Sequence, residues 1–334
     1  MSVSDGLLTI RPKVTTPPAL FVVGHGSRDQ DGVDEFRSFI DVVKQRTAER
    51  PHDEAPQAVH AGFIEFASPD LDVGLDELVA TGTDRVVAVP LVLLGGGHMK
   101  NDGPAALDRA RLRHPGVRFT YAPQLGIHPA VLDVAEERAK EALAELATSL
   151  GLDALDPDET GVVLVSRGAN DPDANADLAK VARLLADARG LPIVEPAYIS
   201  LAQPSVPQAM ERARRLGARY IVTVPYFLFT GILVRRIADQ AAAWAAEHPD
   251  IAVHAGTHLG ADPRIADLVL ERHASADNGA GNMVNCDCCV YRTRMPGFAD
   301  KVGAPVRSHH DDLLEGHGHD HGHGHAHGPD GHAH

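Results

Sequence analysis

The sequence predicts an α/β protein with two duplicated, doubly wound parallel-sheet domains and a disordered C-terminal tail. Short apolar, β-branched runs alternate with longer amphipathic segments, which is the order of strands and helices around a parallel sheet. The same order returns after about 135 residues, a period too long for a solenoid repeat and typical of a duplicated domain. With 334 residues, 44% of them hydrophobic, the chain is long enough to bury two cores.

The first predicted domain comprises residues 18–148 and follows an N-terminal extension at residues 1–17. Its four strands are expected in the runs ALFVVGHG, AVHAGFIEF, RVVAVPLVLL and VRFTYAP, and a helical segment follows each run. Ser68 and Pro69 predict the start of the second helix, because a capping side chain there precedes a proline that the first helical turn tolerates.

The second predicted domain, residues 161–273, follows an acidic linker at residues 149–160 that contains glycine and proline. Its strands are expected in the runs VVLVSRG, PIVEPAYISL, RYIVTVPYFLF and IAVHAGTHLG. Two registers relate the copies: FIEFASP aligns with YISLAQP, and VPLVLLGGGHMK aligns with VPYFLFTGILVR. The loops at the strand ends of the two halves can therefore be compared residue by residue.

The net charge of −15 argues against nucleic acid as a partner, because phosphate binding needs clustered lysines and arginines. No apolar run approaches the roughly 18 residues of a membrane span, and the N-terminus lacks the pattern of a signal peptide. We therefore expect a soluble cytoplasmic protein that binds no membrane. The GGG segment lacks the GK[ST] ending of a phosphate loop, so no nucleotide cofactor is expected. The sequence leaves the formation of a homodimer open.

Three side chains that bind metals well stand at predicted strand ends of the first half only. They are His25, Glu65 and His98. Ligands bind beyond the carboxyl ends of the strands in an open parallel sheet, because loops and helix N-termini converge there. In the second half the two registers put other residues at these places, namely Arg167, Ser200 and Leu233. The sequence therefore predicts one metal site, in the first half.

Two neutral imidazoles and one carboxylate suit a divalent ion such as Co²⁺, Fe²⁺, Ni²⁺ or Zn²⁺. Three protein ligands leave coordination positions open, as in a catalytic site or a site that transfers its metal. Glycines flank both histidines, and they permit a large ligand to approach the backbone closely. Either histidine taken alone would more often be a hydrogen-bonding residue, so the prediction rests on the complete set.

The motifs FVVGHGSRD, GFIEFASPDL and VPLVLLGGGHMKND resemble the sirohydrochlorin chelatases, class II tetrapyrrole chelatases that insert a divalent metal into sirohydrochlorin. The resemblance covers residues 20–273 and implies two chelatase-like domains, the second with a degenerate site. It also implies that His25, Glu65 and His98 are the active-site residues. The long C-terminal region resembles that of cobalt-inserting members, which favours Co²⁺ and cobalamin biosynthesis. An iron-inserting enzyme of siroheme synthesis and a non-enzymatic cobalt or nickel storage or delivery protein are the alternatives.

The insertion reaction needs the metal ion to lose water and two pyrrole N–H protons to leave. We expect His25 and His98 to bind the ion as neutral imidazoles and Glu65 to offset its charge, while one of the three accepts the protons. The substrate carries eight carboxylates, so cations are expected along the cleft. The candidates near strand ends, each of which could equally be an ordinary solvated charge, are Arg28, Lys100, Arg235 and Arg236.

The segment at residues 274–308 contains all three cysteines, Cys286, Cys288 and Cys289, so no disulfide framework is expected. The resemblance to long chelatases implies that they hold an iron–sulfur cluster. Such a cluster usually has four thiolates, so a further ligand or a second subunit would have to contribute. A zinc or cobalt transfer site and a redox-sensitive thiol cluster are the competing interpretations.

The tail at residues 309–334 alternates histidine with glycine, aspartate and alanine. Half of the 20 histidines follow residue 308. Low-complexity sequence of this kind is expected to be disordered without metal and to bind Ni²⁺, Co²⁺ or Zn²⁺ through imidazole groups. Local storage or delivery of the ion is the predicted role, and the residues expected to bind it are His317, His319, His321, His323, His325 and His327.

Overall fold

A computed structural model of the chain describes residues 16–277, Asp300 and Val302, except for the side chains of His98 and Met99. The first half alternates strands and helices as predicted. Its elements are β1 (Ala19–Gly24), α1 (Gln30–Ala48), β2 (Val59–Phe63), α2 (Leu71–Ala80), β3 (Arg85–Pro90), α3 (Gly97–Lys100), α4 (Asp102–Arg113), β4 (Arg118–Tyr121) and α5 (Pro129–Ser149).

The second half repeats this order. Its elements are β5 (Thr160–Ser166), α6 (Pro172–Arg189), β6 (Val194–Tyr198), α7 (Val206–Arg215), β7 (Tyr220–Pro225), α8 (Ile232–Glu247), β8 (Ala252–Ala255) and α9 (Pro263–Asp277). The strands form two parallel sheets, ordered β2-β1-β3-β4 and β6-β5-β7-β8. Because the strand order reverses at β1 and at β5, each sheet is doubly wound, which confirms the predicted fold class.

The turns after β2 and β6 show how closely the two halves correspond. The N–H of Phe63 donates to the carbonyl oxygen of Pro69 at 2.9 Å, and the N–H of Tyr198 donates to Pro204 at the same distance. Both prolines follow a cis peptide bond. This match confirms the register in which FIEFASP aligns with YISLAQP.

The start of helix α2 differs from the prediction. The helix begins at Leu71, and its cap is Asp70, whose side chain accepts a hydrogen bond from the N–H of Val73 at 2.8 Å. Ser68 and Pro69 lie before the cap, in the turn that carries the cis bond. The prediction that they start the helix was wrong, because a serine followed by proline also suits a tight turn, and the aspartate one position later is an equally good cap.

Three apolar clusters hold the described residues together. One lies on the outer face of the first sheet and includes Phe21 and Leu75, and another lies on the outer face of the second sheet and includes Val163 and Met210. The largest cluster contains residues from the inner faces of both sheets and from the helices between them. The two sheets therefore share one continuous core. No helix in the described part of the chain combines the length and apolarity needed to cross a membrane.

The last helix of each half packs against the other half. Helix α5 ends the first half but contacts β7 and β8, whereas α9 ends the second half and contacts β3, β4 and α1. A buried histidine near the end of α9, His273, lies 2.9 Å from the carbonyl oxygen of Pro18, just before β1. Each sheet is thus covered by a helix from the other half.

Candidate active site

The loops after β1 and β2 bring together two of the three predicted metal ligands. His25 directly follows β1, and Glu65 lies two residues beyond β2. The N–H of Glu65 donates to the carbonyl oxygen of His25 at 3.1 Å, and in the second half Ser200 donates to Arg167 at the same distance. Arg167 and Ser200 therefore occupy the places of His25 and Glu65, as the sequence registers predicted.

The imidazole of His25 faces the Glu65 carboxylate. Its Nδ1 lies 3.1 Å from the carbonyl oxygen of Gly26. Since a carbonyl oxygen only accepts, Nδ1 donates in this contact, and in the neutral imidazole the lone pair is then on Nε2. Nε2 lies 3.6 Å from Oε1 of Glu65. An ion about 2.1 Å from both atoms would span this gap, so the two atoms are close enough together to bind one ion.

Gly26 lets the two loops approach each other. Its φ is +93°, and a Cβ atom placed on it would lie 1.7 Å from the carbonyl oxygen of Glu65. No side chain fits at that distance. The glycine is therefore required by the position of the Glu65 backbone as well as by its own left-handed conformation.

The third predicted ligand, His98, stands on the short helix α3 after β3. The N–H of Lys100 donates to Gly96 at 3.2 Å, and Arg235 makes the equivalent bond to Gly231 at the same distance. This match confirms the second register. The side chain of His98 lies outside the described part of the structure, and the side chains that are described include no group of three His, Cys, Asp or Glu that could hold a metal. The third ligand therefore stays a prediction.

The strand-end loops of the two halves face each other. A Cβ atom placed on Gly96 would lie 4.0 Å from the Cβ of Ala169, in the loop after β5. On helix α1, Glu35 accepts hydrogen bonds from the N–H of Thr230 at 2.6 Å and from His258 at 2.8 Å. Burial alone would raise the pKa of Glu35, but these two hydrogen bonds lower it overall. The edge of the first half that carries His25 and Glu65 is thus held against loops of the second half.

Lys100, a predicted ligand of substrate carboxylates, is part of a buried ion cluster between the halves. Its Nζ lies 2.6 Å from Oδ2 of Asp171 and 3.2 Å from Oδ2 of Asp173, and its side chain is 6% exposed. Burial, and then the nearby Asp173 carboxylate, raises the pKa of Asp177. A substrate carboxylate would have to compete with two protein carboxylates for this ammonium group.

The three predicted arginines are exposed, in different surroundings. Arg235 forms an ion pair with Asp29. The guanidinium carbon of Arg28 lies 4.6 Å from the ring centroid of Phe66. Arg236 has no carboxylate of the described residues within ion-pair distance. Binding of substrate by these arginines stays a prediction.

Two residues of this region were not predicted from the sequence. Phe66 follows Glu65 and is 52% exposed, and Asp171 caps α6 and binds Lys100. The sequence does hold a signal for the second residue. An aspartate stands at the same place in both copies, at Asp29 and Asp171, and a cation stands at the same place in both, at Lys100 and Arg235.

The cysteines and the histidine tail lie outside the described residues, so their predicted roles stay predictions. The residues concerned are Cys286, Cys288, Cys289, His317, His319, His321, His323, His325 and His327.

Comparison with known proteins agrees with this duplicated architecture. The CbiX family model matches residues 19–142 and 161–276, once in each half. The sirohydrochlorin cobaltochelatase of Priestia megaterium is 36% identical over 82% of this chain and 84% of its own length. A sirohydrochlorin ferrochelatase of the same organism is 30% identical over 66% of this chain and 77% of its own length.

A solved structure shares the fold. The sirohydrochlorin chelatase SirB from Bacillus subtilis subspecies spizizenii, in complex with cobalt, is 26% identical and has a TM-score of 0.63, covering 80% of this chain and 98% of that chain. The order of the elements, the two matching registers and the family match in each half lead to one conclusion. This chain belongs to the CbiX family.

Proposed function

We propose that this protein is a sirohydrochlorin chelatase that inserts a divalent metal, with Co²⁺ favoured, in cobalamin biosynthesis and without ATP. The observation that carries the proposal is the one-sided pair of donors. His25 and Glu65 stand 3.6 Å apart at the strand ends of one half, and the same places in the other half hold an arginine and a serine. A family member with such a pair has the ligands for a metal that must be held and then released.

Each of the three residues has a role in the proposed reaction. His25 and His98 bind the entering ion through neutral imidazoles, which displace part of its water shell. Glu65 offsets the charge of the ion. The ion replaces two N–H protons of the macrocycle, and one of these three residues accepts each proton as it leaves the pyrrole nitrogen. Because the donors are held in fixed positions, less entropy is lost when the ion and the ring reach the geometry in which they react.

The proposal of cobalt rather than iron is supported by the higher identity of a cobalt-inserting relative. The Priestia megaterium cobaltochelatase is 36% identical over 82% of this chain, whereas two similar ferrochelatases are 30% identical over 66% and 28% identical over 79% of it. Nitrogen and oxygen ligands accept Co²⁺, Fe²⁺ and Ni²⁺ alike, so the preference has to be measured. We expect the highest kcat/KM with Co²⁺ when the three ions are compared under anaerobic conditions.

The direct test is to follow the absorption of sirohydrochlorin after mixing it with the protein and Co²⁺. His25→Ala and Glu65→Gln are expected to lower the insertion rate at least 100-fold, because a positioned general acid or base typically contributes at least that factor. Ser200→Ala is the matched control, because Ser200 occupies the place of Glu65 in the other half and is exposed. The assignment is wrong if His25→Ala and Glu65→Gln insert metal at the wild-type rate.

The same experiment separates the enzyme from a storage or delivery protein. An enzyme turns over many equivalents of sirohydrochlorin per chain. A storage protein would bind Co²⁺ without changing the spectrum of added sirohydrochlorin beyond the uncatalysed rate.

A further inference from the structure

The turn after Glu65 holds a strained residue. The N–H of Ala67 donates to the carbonyl oxygen of Glu65 at 2.9 Å, which closes a three-residue turn around Phe66. The φ of Phe66 is +64°, and no other non-glycine residue in the described part of the chain has a positive φ. A left-handed conformation is costly for a bulky residue, and such residues concentrate at functional sites.

The ring of Phe66 is not held there by burial. The residue is 52% exposed, beside a carboxylate that we place in the metal site. The Arg28 guanidinium lies 4.6 Å from the ring centroid, which is a cation–π contact. No carboxylate of the described residues lies within ion-pair distance of Arg28, so its positive charge is available to a ligand.

The second half lacks this arrangement. Its residue at the place of Phe66 is Leu201, which is also exposed, at 46%. Leu201 does not have a positive φ. In the alignment that places Arg167 at His25, Asn170 stands at the place of Arg28. The strained turn, the aromatic ring and the cation beside it therefore occur together in the half that has His25 and Glu65, and their counterparts in the other half do not.

From this we infer that Phe66 and Arg28 form a binding platform for the macrocycle beside the metal site. This inference rests on the proposed function. A tetrapyrrole is a flat apolar ring with acidic side chains at its edge. The exposed ring of Phe66 provides a face on which such a macrocycle stacks, and the guanidinium of Arg28 pairs with a carboxylate at its periphery. Phe66, with its strained backbone and 52% exposed, directly follows the carboxylate proposed to bind the metal.

The test measures binding separately from chemistry. Metal-free sirohydrochlorin is titrated into the His25→Ala variant, with binding followed by the quenching of sirohydrochlorin fluorescence. Adding Phe66→Ala is expected to weaken binding about 10-fold, and adding Arg28→Gln about 3-fold with a smaller dependence on salt. Phe66→Tyr keeps the aromatic face and is expected to restore affinity. Leu201→Ala is the matched control and is expected to leave affinity unchanged.

In the otherwise wild-type protein, Phe66→Ala is expected to raise the KM for sirohydrochlorin about 10-fold and to leave the affinity for Co²⁺ alone unchanged. The platform is refuted if Phe66→Ala binds sirohydrochlorin within twofold of its parent, or no more weakly than Leu201→Ala. The proposed function can still hold in that case, since it depends on the loss of insertion in His25→Ala. Conversely, weakened binding in Phe66→Ala would support the platform even if the wild-type protein inserted no metal.

Discussion

Lys100 of the first half and Asp171 of the second half form an ion pair that has a counterpart elsewhere in the chain. Nζ of Lys100 lies 2.6 Å from Oδ2 of Asp171. Arg235, at the place of Lys100 in the second half, pairs with Asp29, at the place of Asp171 in the first half. The two pairs thus join the halves reciprocally. They differ in exposure, because the side chain of Lys100 is 6% exposed and that of Arg235 is 54% exposed.

This difference predicts unequal contributions to stability. Lys100→Met is expected to lower the free energy of unfolding by about 3–5 kcal/mol, because it leaves two buried carboxylates without their cation. Arg235→Met is expected to cost less, about 1 kcal/mol, because Arg235 is exposed and screened by water, and the Asp29 carboxylate, which is 8% exposed, keeps its hydrogen bond from the N–H of Asp31. Urea unfolding of both variants measures the contrast. Equal losses would show that burial does not distinguish the two pairs.

Gly26 provides a test of the backbone contact between His25 and Glu65. Gly26→Ala adds a Cβ that would lie 1.7 Å from the Glu65 carbonyl oxygen, so the loop must move. We expect at least a 10-fold loss of insertion rate, because small displacements of catalytic groups lower the rate strongly.

Gly82→Ala is the control for backbone strain, since Gly82 has φ +91° and nothing within 4 Å of an added Cβ. It is expected to cost about 1 kcal/mol of stability with no loss of rate. If the two variants lose activity equally, the close contact is not the cause.

His273 predicts a loss of stability in acid. Burial lowers the pKa of its imidazole to about 4, although a hydrogen bond to the Pro18 carbonyl opposes this. Below about pH 6.5 the unfolded chain binds a proton that the folded chain does not, so this contribution to stability is complete above pH 6.5 and is lost as the pH falls towards 4. The stability lost in this way is about 3 kcal/mol.

His273→Gln tests this, because glutamine keeps an N–H donor but does not titrate in this range. Its unfolding free energy should therefore change less between pH 6.5 and 4.5 than that of the wild-type protein. Parallel pH curves for the two proteins would exclude His273 as the cause.

The histidine tail predicts an effect that depends on the supply of metal. Deleting the residues after His309 is expected to slow insertion when Co²⁺ is scarce and to leave the rate unchanged when Co²⁺ is saturating, because a store of imidazole ligands matters only while free ion is limiting. Rates across a range of buffered Co²⁺ concentrations measure this. A similar loss at every concentration would point to a role in folding or catalysis instead.

The sequence predicted the strands and the duplication because both follow from local patterns. Buried parallel strands are short apolar runs, and the duplication places like residues at like turns, as in the bonds from Glu65 to His25 and from Ser200 to Arg167. The sheet that each terminal helix covers was not predicted. An amphipathic pattern gives the apolar face of α5 or α9, but it does not say which of two similar sheets that face contacts.

The candidate site was likewise predicted only in part. Metal-binding side chains at strand ends are visible in the sequence, so His25 and Glu65 could be paired before the structure was known. The partners of Lys100 lie 71 and 73 residues away in the chain, and the left-handed backbone of Phe66 has no marker in residue type. Both depend on contacts that only the folded chain brings together.

The reciprocal placement of α5 and α9 has a consequence for how this duplicated protein must assemble. A chain cut in the linker would give two fragments, each with a sheet lacking its cover and a helix lacking its support. Neither fragment should be soluble by itself, whereas the two expressed together should recombine into an active complex. The half that has Arg167 and Ser200 at the places of His25 and Glu65 thus remains indispensable, because the other half cannot complete its fold without it.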